Sequence, residues 1–343
     1  MKKRLFVSIT FVLGLSDPSA NAVSSVNASG PANRSDIEHL QRFTDYFKSS
    51  SMGQVQTKES EHFRVSWVNS KDEIIVDALL KHIEAAHRDL MPVFKDPRHD
   101  KTKKAPIEIF PDLRSFSDVS RLSMARFKAT GTIALTLEQR IMVLSPRNLA
   151  IGYPWATTVV HEYIHYLIRE ISMDYIPIWL HEGVAQYYQG YPYQKDMNLT
   201  PVQFGLLKKA RQKHEFLSLE TLQEPFPYRK NPEEAELAYV EALVFVRWLD
   251  HKCGALHLVR LTGELQDVYA ALAKCTSWPR EQLSQNFISE VLEKTKIPAR
   301  KDVAFFCSRF LRQRSARSRE SKGRSDGKKL CSDCQSAFQA GIL

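Results

Sequence analysis

Two consecutive apolar stretches, Trp155 to Glu170 and Ile178 to Tyr188, constrain this chain most, because each is patterned as a buried helix yet carries ionisable side chains. His161-Glu162-Tyr163-Ile164-His165 is flanked by Thr157, Val159, Val160, Leu167 and Ile168, and His181-Glu182 follows Ile178, Trp179 and Leu180. Ionisable groups taken out of water need a partner, and a cation supplies one. Residues i and i+4 share a helix face, so both imidazoles of the H-E-x-x-H run reach one ion with Glu162 rotated alongside. A turn over Ser172 to Ile176 would fold the second helix back antiparallel to the first. It would return Glu182, 17 positions after His165, over the same face.

Zinc suits such a donor set. It accepts neutral imidazole nitrogens at about 2.0–2.1 Å, and three protein ligands leave a fourth position for water. The metal lowers the pKa of that water towards ~7, and Glu162 is placed to take its proton, which points to hydrolysis. His181 is an alternative third ligand, and Asp174 would be the candidate if the pattern were of the aspartate type.

H-E-x-x-H followed by W-L-x-E-G-x-A-x-Y, here Trp179 to Tyr187, resembles the gluzincin zinc metallopeptidases, and most of all the peptidase MA-like group of exported bacterial proteins. The resemblance covers roughly residues 130 to 255. It implies an α+β, zincin-like fold in which His161, His165 and Glu182 hold Zn2+ and Glu162 is the general base. It also implies an upstream strand, such as Ile141 to Leu144, forming the edge of the cleft where a peptide or protein substrate binds. A further stretch of that family's pattern falls on Tyr239, Ala242, Phe245, Val246, Leu249 and Gly254, which makes Tyr239 a candidate catalytic donor to the oxyanion. The alternative for Tyr239 is an aromatic packed in a helix that is apolar on most faces; Tyr163 and Tyr187 read as core. The metzincin continuation is absent, since Ile168 and Ile171 stand where it needs Gly and His. Two other functions stay open: a non-catalytic exported binding protein on a zincin fold, and a zinc amidase acting on cell-wall or modified amides. The first has no need of Glu162, whereas the second uses the same activated water.

The two ends of the chain carry its charge. The formal balance is +9; Lys2, Lys3 and Arg4 give +3, and residues 307–330, with nine Lys/Arg against two Asp/Glu, give +7, leaving about −1 for the rest. The high pI is therefore no sign of a nucleic-acid-binding core, and no nucleic-acid partner is expected. Lys2 to Arg4, an eleven-residue run from Leu5 to Leu15, and Ala20-Asn21-Ala22 read as a secretory signal peptide cleaved near Ala22. That run is shorter than the ~20 residues a spanning helix needs. The mature protein is thus expected to be exported, periplasmic or secreted. Asn27, Asn33 and Asn198 open N-x-[ST] triplets that matter only in a host that glycosylates exported proteins. Export favours disulfides. Of five cysteines, Cys253 and Cys275 sit in the helical part and can pair, while Cys307, Cys331 and Cys334 predict a structural bridge involving the tail. The tail is nearly free of apolar residues from Ser315 to Lys329 and offers a contact for an anionic surface.

Periodicity divides the chain into a signal peptide (1–22), an N-terminal linker and helix (23–57), an α+β lobe with the cleft-edge strand (58–150), zinc-binding helices with a helical C-terminal lobe (151–300) and a basic Cys-containing tail (301–343). Ile37, Leu40, Phe43 and Phe47 predict a helix begun at Asp36. Phe63, Val65 and Trp67 mark a half-buried strand, and residues 72–91 a helix that stops before Pro92. Ile107 and Ile109 mark a strand ending at Pro111, and two more strands, Ile133 to Leu135 and Ile141 to Leu144, flank a turn at Glu138 to Arg140.

Overall fold

The computed structural model describes residues 42–48, 53–94, 103–149, 153–172, 175–191 and 199–296, apart from positions 126, 128–130, 138, 225 and 227–231. The signal peptide, Asp174, the three N-x-[ST] asparagines and the tail with Cys307, Cys331 and Cys334 lie outside the described residues.

The α+β lobe is built on a five-stranded sheet of order β1-β2-β3-β5-β4. Its strands are β1 (Gln56–Glu59), β2 (Phe63–Trp67), β3 (Ala105–Phe110), β4 (Ala134–Leu137) and β5 (Arg140–Leu144). In β2 the alternation sends Phe63, Val65 and Trp67 inward and leaves Arg64 exposed, as a period of two requires. β2, β3 and β5 run parallel, and β1 and β4 pair antiparallel at the two ends. β3 and β5 are buried at every position, which suits strands covered on both faces. This corrects one expectation: Ile141 to Leu144 is an interior strand, and the edge strand is β4. The hairpin reversed the order because β5, not β4, has the continuous apolar run that pairs in parallel with β3. Its tight turn contains Gln139, at φ 60°.

Helix α1 (residues 42–48) places Phe43 and Phe47 against Phe110, with Phe43 edge-on at 5.0 Å, on one face of the sheet. On the other face, Ile107, Ile109, Ile141 and Val143 join a larger core with α2 (Glu73–Phe94) and the helices that follow. α2 does not stop before Pro92. A proline two residues from the end removes only one backbone hydrogen bond, and the helix continues to bring Phe94, 1% exposed, edge-on to Tyr188 at 5.3 Å.

After α3 (Leu113–Ser120) and the β4–β5 hairpin the chain becomes helical: α4 (Trp155–Ser172), α5 (Ile178–Tyr188), α6 (Pro201–Lys213), α7 (Pro232–Cys253), α8 (Ala255–Leu265) and α9 (Val268–Thr276). A short helix, Leu283–Asn286, leads into π-helical turns at Phe287–Leu292. α4 is the shared wall, touching β4 and β5 on one side and α2, α5 and α8 on the others. A single apolar cluster runs from the sheet through α4 to α7, α8 and α9, so the change near residue 150 is one of secondary structure within a continuous core. α5 packs closely on α7 because residue 183 is glycine. A Cβ there would lie 2.6 Å from both Ala242 O and Val246 Cγ2. Cys253, at the end of α7, is bonded to Cys275 in α9, Cα to Cα 5.8 Å, a bridge inside the helical lobe. Among the described residues no helix is long and apolar enough to cross a membrane.

Candidate metal centre

α4 starts directly after Pro154, whose carbonyl accepts from Thr158 N at 3.1 Å, and buries almost every residue from Thr158 to Ile168. A helix so enclosed leaves its polar side chains to find partners within the protein rather than in water. His161 is 0% exposed, and Glu162 and His165 are each 1% exposed. α5 is preceded by Pro177 at its N-cap and returns along α4 as the short turn predicts, bringing Glu182, 1% exposed, over the same face. His161 Nε2 lies 3.4 Å and His165 Nε2 3.8 Å from Glu182 Oε2, and the two Nε2 atoms are 3.0 Å apart. Nitrogen, nitrogen and oxygen thus converge within 4.8 Å of one another, a grouping that can hold a metal ion.

The far side of each ring is tied down. His161 Nδ1 meets Gln189 Oε1 at 3.0 Å, and since an amide oxygen only accepts, Nδ1 carries the proton and Nε2 the lone pair. His165 Nδ1 meets His181 Nδ1 at 2.5 Å. With the His165 Nδ1–H donating, His165 Nε2 also carries a lone pair. With both rings in that tautomer the two Nε2 lone pairs face each other at 3.0 Å beside a carboxylate, an arrangement that a cation would reconcile. Burial, with the charges of His181, His161 and Arg169, holds His165 well below its ordinary value, so its ring is neutral as a ligand must be. Burial, then the charges of Arg169 and His161, pushes His181 down to about 3. For His161 burial acts downward, but the hydrogen bond and charge of Glu182, with the charge of Glu162, raise it overall. Burial raises Glu182 against the opposing effect of His161. It pushes Glu162 up to about 8. Glu162 Oε1 is buried with no hydrogen-bond partner, and buried Glu182 Oε2 has the two imidazole Nε2 atoms, at 3.4 and 3.8 Å, beside it. Acceptors of this kind, enclosed and unmatched, fit a divalent ion, and a mixed imidazole and carboxylate set is one zinc takes.

Of the residues singled out in the sequence, His161, Glu162, His165 and Glu182 come together. His181 stands behind His165 rather than among the three converging atoms. Tyr239, half-buried on α7, packs edge-on against Phe226 at 5.0 Å, and its carbonyl accepts from Gln186 Nε2 at 3.2 Å. Burial, then the charges of Glu182 and Glu162, raise its phenol well above the ordinary range, so it lies within electrostatic reach of both carboxylates. Tyr163 points elsewhere, its hydroxyl 2.6 Å from His87 Nδ1, and Tyr187 donates to Asp250 Oδ2 at 3.0 Å. Sequence reasoning missed Gln189 and Thr136, whose Oγ1 lies 2.9 Å from Glu162 Oε2. Thr136 had a signal, as the lone polar residue in Ala-Leu-Thr-Leu. Gln189 had none, because it follows the motif that identifies α5.

A sequence model described as the peptidase MA superfamily matches residues 103–274. The chain belongs to the peptidase MA superfamily. No curated protein matches it. The superfamily's members are generally metallopeptidases, and among the described residues His161, His165 and Glu182 form a group that could hold a metal ion. As a member of the peptidase MA superfamily, the chain carries all of these residues, with Thr136, Gln189 and Tyr239, inside the matched region. β1, β2 and α2 precede that region.

Proposed function

We propose that this chain is an exported zinc-dependent metallopeptidase of gluzincin type that hydrolyses peptide bonds. The observation that carries the reading is the convergence of the buried His161 Nε2, His165 Nε2 and Glu182 Oε2, with the carboxylate of Glu162 on the helix that carries the two histidines. Zinc held by His161, His165 and Glu182 would supply a Lewis acid and an acidified water. Gln189 and His181 fix the tautomers of the two imidazoles, so that each presents its Nε2. Glu162 acts as general base, its unpartnered Oε1 being the oxygen with acceptor capacity to spare. Tyr239 is the candidate donor to the oxyanion, its phenol kept protonated by burial and by the two neighbouring carboxylates.

Export is supported by the N-terminal Lys-Lys-Arg, apolar run and A-x-A site, and by the Cys253–Cys275 bridge, which suits an oxidising compartment. The basic tail would add contact with an anionic surface such as lipid headgroups, at ~1 kcal/mol per basic residue close to a membrane. The purified mature chain, assayed against a mixed peptide library with zinc added or chelated, tests the function. Cleavage that requires zinc is expected, and cleavage unaffected by chelation would remove the zinc mechanism.

A further inference from the structure

β4 turns two of its residues, Ala134 and Thr136, towards α4, which carries the candidate metal centre. Its register pairs Ala134 with Val143 and Thr136 with Ile141, and Leu144 N donates to Ile133 O at 2.8 Å. Antiparallel partners alternate between hydrogen-bonded and non-hydrogen-bonded pairs. Leu135 and Leu137 therefore carry the ladder to β5, and the backbone N–H and C=O of Ala134 and Thr136 face the opposite side. Side chains alternate as well: Leu135 joins the core with Met142, while Ala134 joins Ile141 and Val143 on the α4 side. Thr136 shares that side, so its hydroxyl and its N–H both meet Glu162. Thr136 Oγ1 donates to Glu162 O at 2.7 Å and to Glu162 Oε2 at 2.9 Å, and the Thr136 backbone adds a hydrogen bond to the same carboxylate. Glu162 Oε1 is left buried and without a partner.

We propose that Thr136 is the positioning residue for the base: its hydroxyl pins one carboxylate oxygen of Glu162 to the edge strand and leaves the other to take the proton. This rests on the hydrolytic function above. A glutamate has three side-chain torsions, and a base must sit within hydrogen-bond reach of the proton it abstracts. The helix fixes the Cα of Glu162 but not its carboxylate; a strand crossing beside the helix supplies the second point. A hydroxyl with 1% exposure in an otherwise apolar strand costs stability unless it is used. Thr136 spends its single proton between the helix carbonyl and the carboxylate of one residue.

Thr136→Val keeps the volume and removes the donor. In the zinc-loaded protein kcat is expected to fall roughly 100-fold, with KM changed by less than about twofold and zinc stoichiometry unchanged, and Thr136→Ser should recover most of the loss. A double-mutant cycle of Thr136→Val and Glu162→Ala, read by urea unfolding of the chelated protein, is expected to be non-additive by at least about fivefold in the unfolding constant. If Thr136→Val does not fold, Thr136→Ala takes its place in both measurements. A folded variant with kcat within a few-fold of wild type, or an additive cycle, overturns the proposal while leaving Glu162 as the base. Turnover surviving in Glu162→Gln overturns the base assignment and this proposal with it.

Discussion

In the proposed mechanism Glu162 and His181 separate two kinds of work at the residue scale, proton transfer and ligand orientation. Glu162→Gln keeps the size and the Thr136 contact but cannot accept the water's proton. Activity should fall by at least roughly 100-fold while zinc content and the unfolding midpoint stay near wild type, as paired activity and elemental measurements would show. Turnover within a few-fold of wild type would mean that another group is the base. His181→Ala removes the partner of His165 Nδ1 and nothing that converges on the ion. Zinc affinity, measured by competition with a chelator, should weaken roughly 10- to 100-fold, and an unchanged affinity would free His165 from any dependence on His181. At this scale the four central residues were legible because helical spacing places them: i, i+1 and i+4 on α4, then a short turn back to Glu182. Thr136 and Gln189 were not legible, because their roles come from a strand 26 positions before Glu162 and from an α5 end 28 positions after His161. Local pattern says nothing about which distant side chain will face a buried nitrogen.

Helices and strands are legible mostly through their period, and where the structure departs from it the cause is physical. The alternation in β2 and the turn at Gln139 appear as expected. The edge assignment failed because a single β-hairpin does not reveal which of its strands will pair with a third. The end of α2 was misplaced because Pro92 weakens a helix that burial of Phe94 nonetheless extends. Gly183, noticed as part of a motif, has a packing reason that pattern did not supply. Gly183→Ala would press a methyl into the backbone of Ala242, and since a carbonyl on a packed helix cannot swing aside, α5 must move from α7. Overpacking of this kind costs about 1–3 kcal/mol, and because α5 carries Glu182, zinc affinity should drop as well. Urea unfolding with a chelator titration checks both; a variant as stable as wild type would show that the two helices have room.

The whole molecule packs one core on each face of the sheet, and α4, within the larger of the two, carries the candidate metal centre. The Cys253–Cys275 bridge closes the α7 to α9 segment, 22 residues apart, and in the chain-entropy account a loop of that length is stabilised by about 3 kcal/mol. Replacing both cysteines with serine should lower the unfolding midpoint under oxidising conditions, and an unchanged midpoint would show that packing of α7 on α9 suffices. In the proposed reading the basic tail bears on location rather than catalysis. Truncation after Phe306 should leave peptide turnover and folding intact while abolishing salt-sensitive binding to anionic vesicles; loss of folding would mean that the tail cysteines anchor it to the core.

The central claim is that His161, His165 and Glu182 hold one zinc ion, and elemental analysis of purified protein measures it directly. Wild type is expected to contain one zinc per chain, Glu162→Gln the same, and the His161→Ala, His165→Ala double variant none while remaining folded. A wild-type protein that binds no stoichiometric metal, or a double variant that keeps it, would contradict the account.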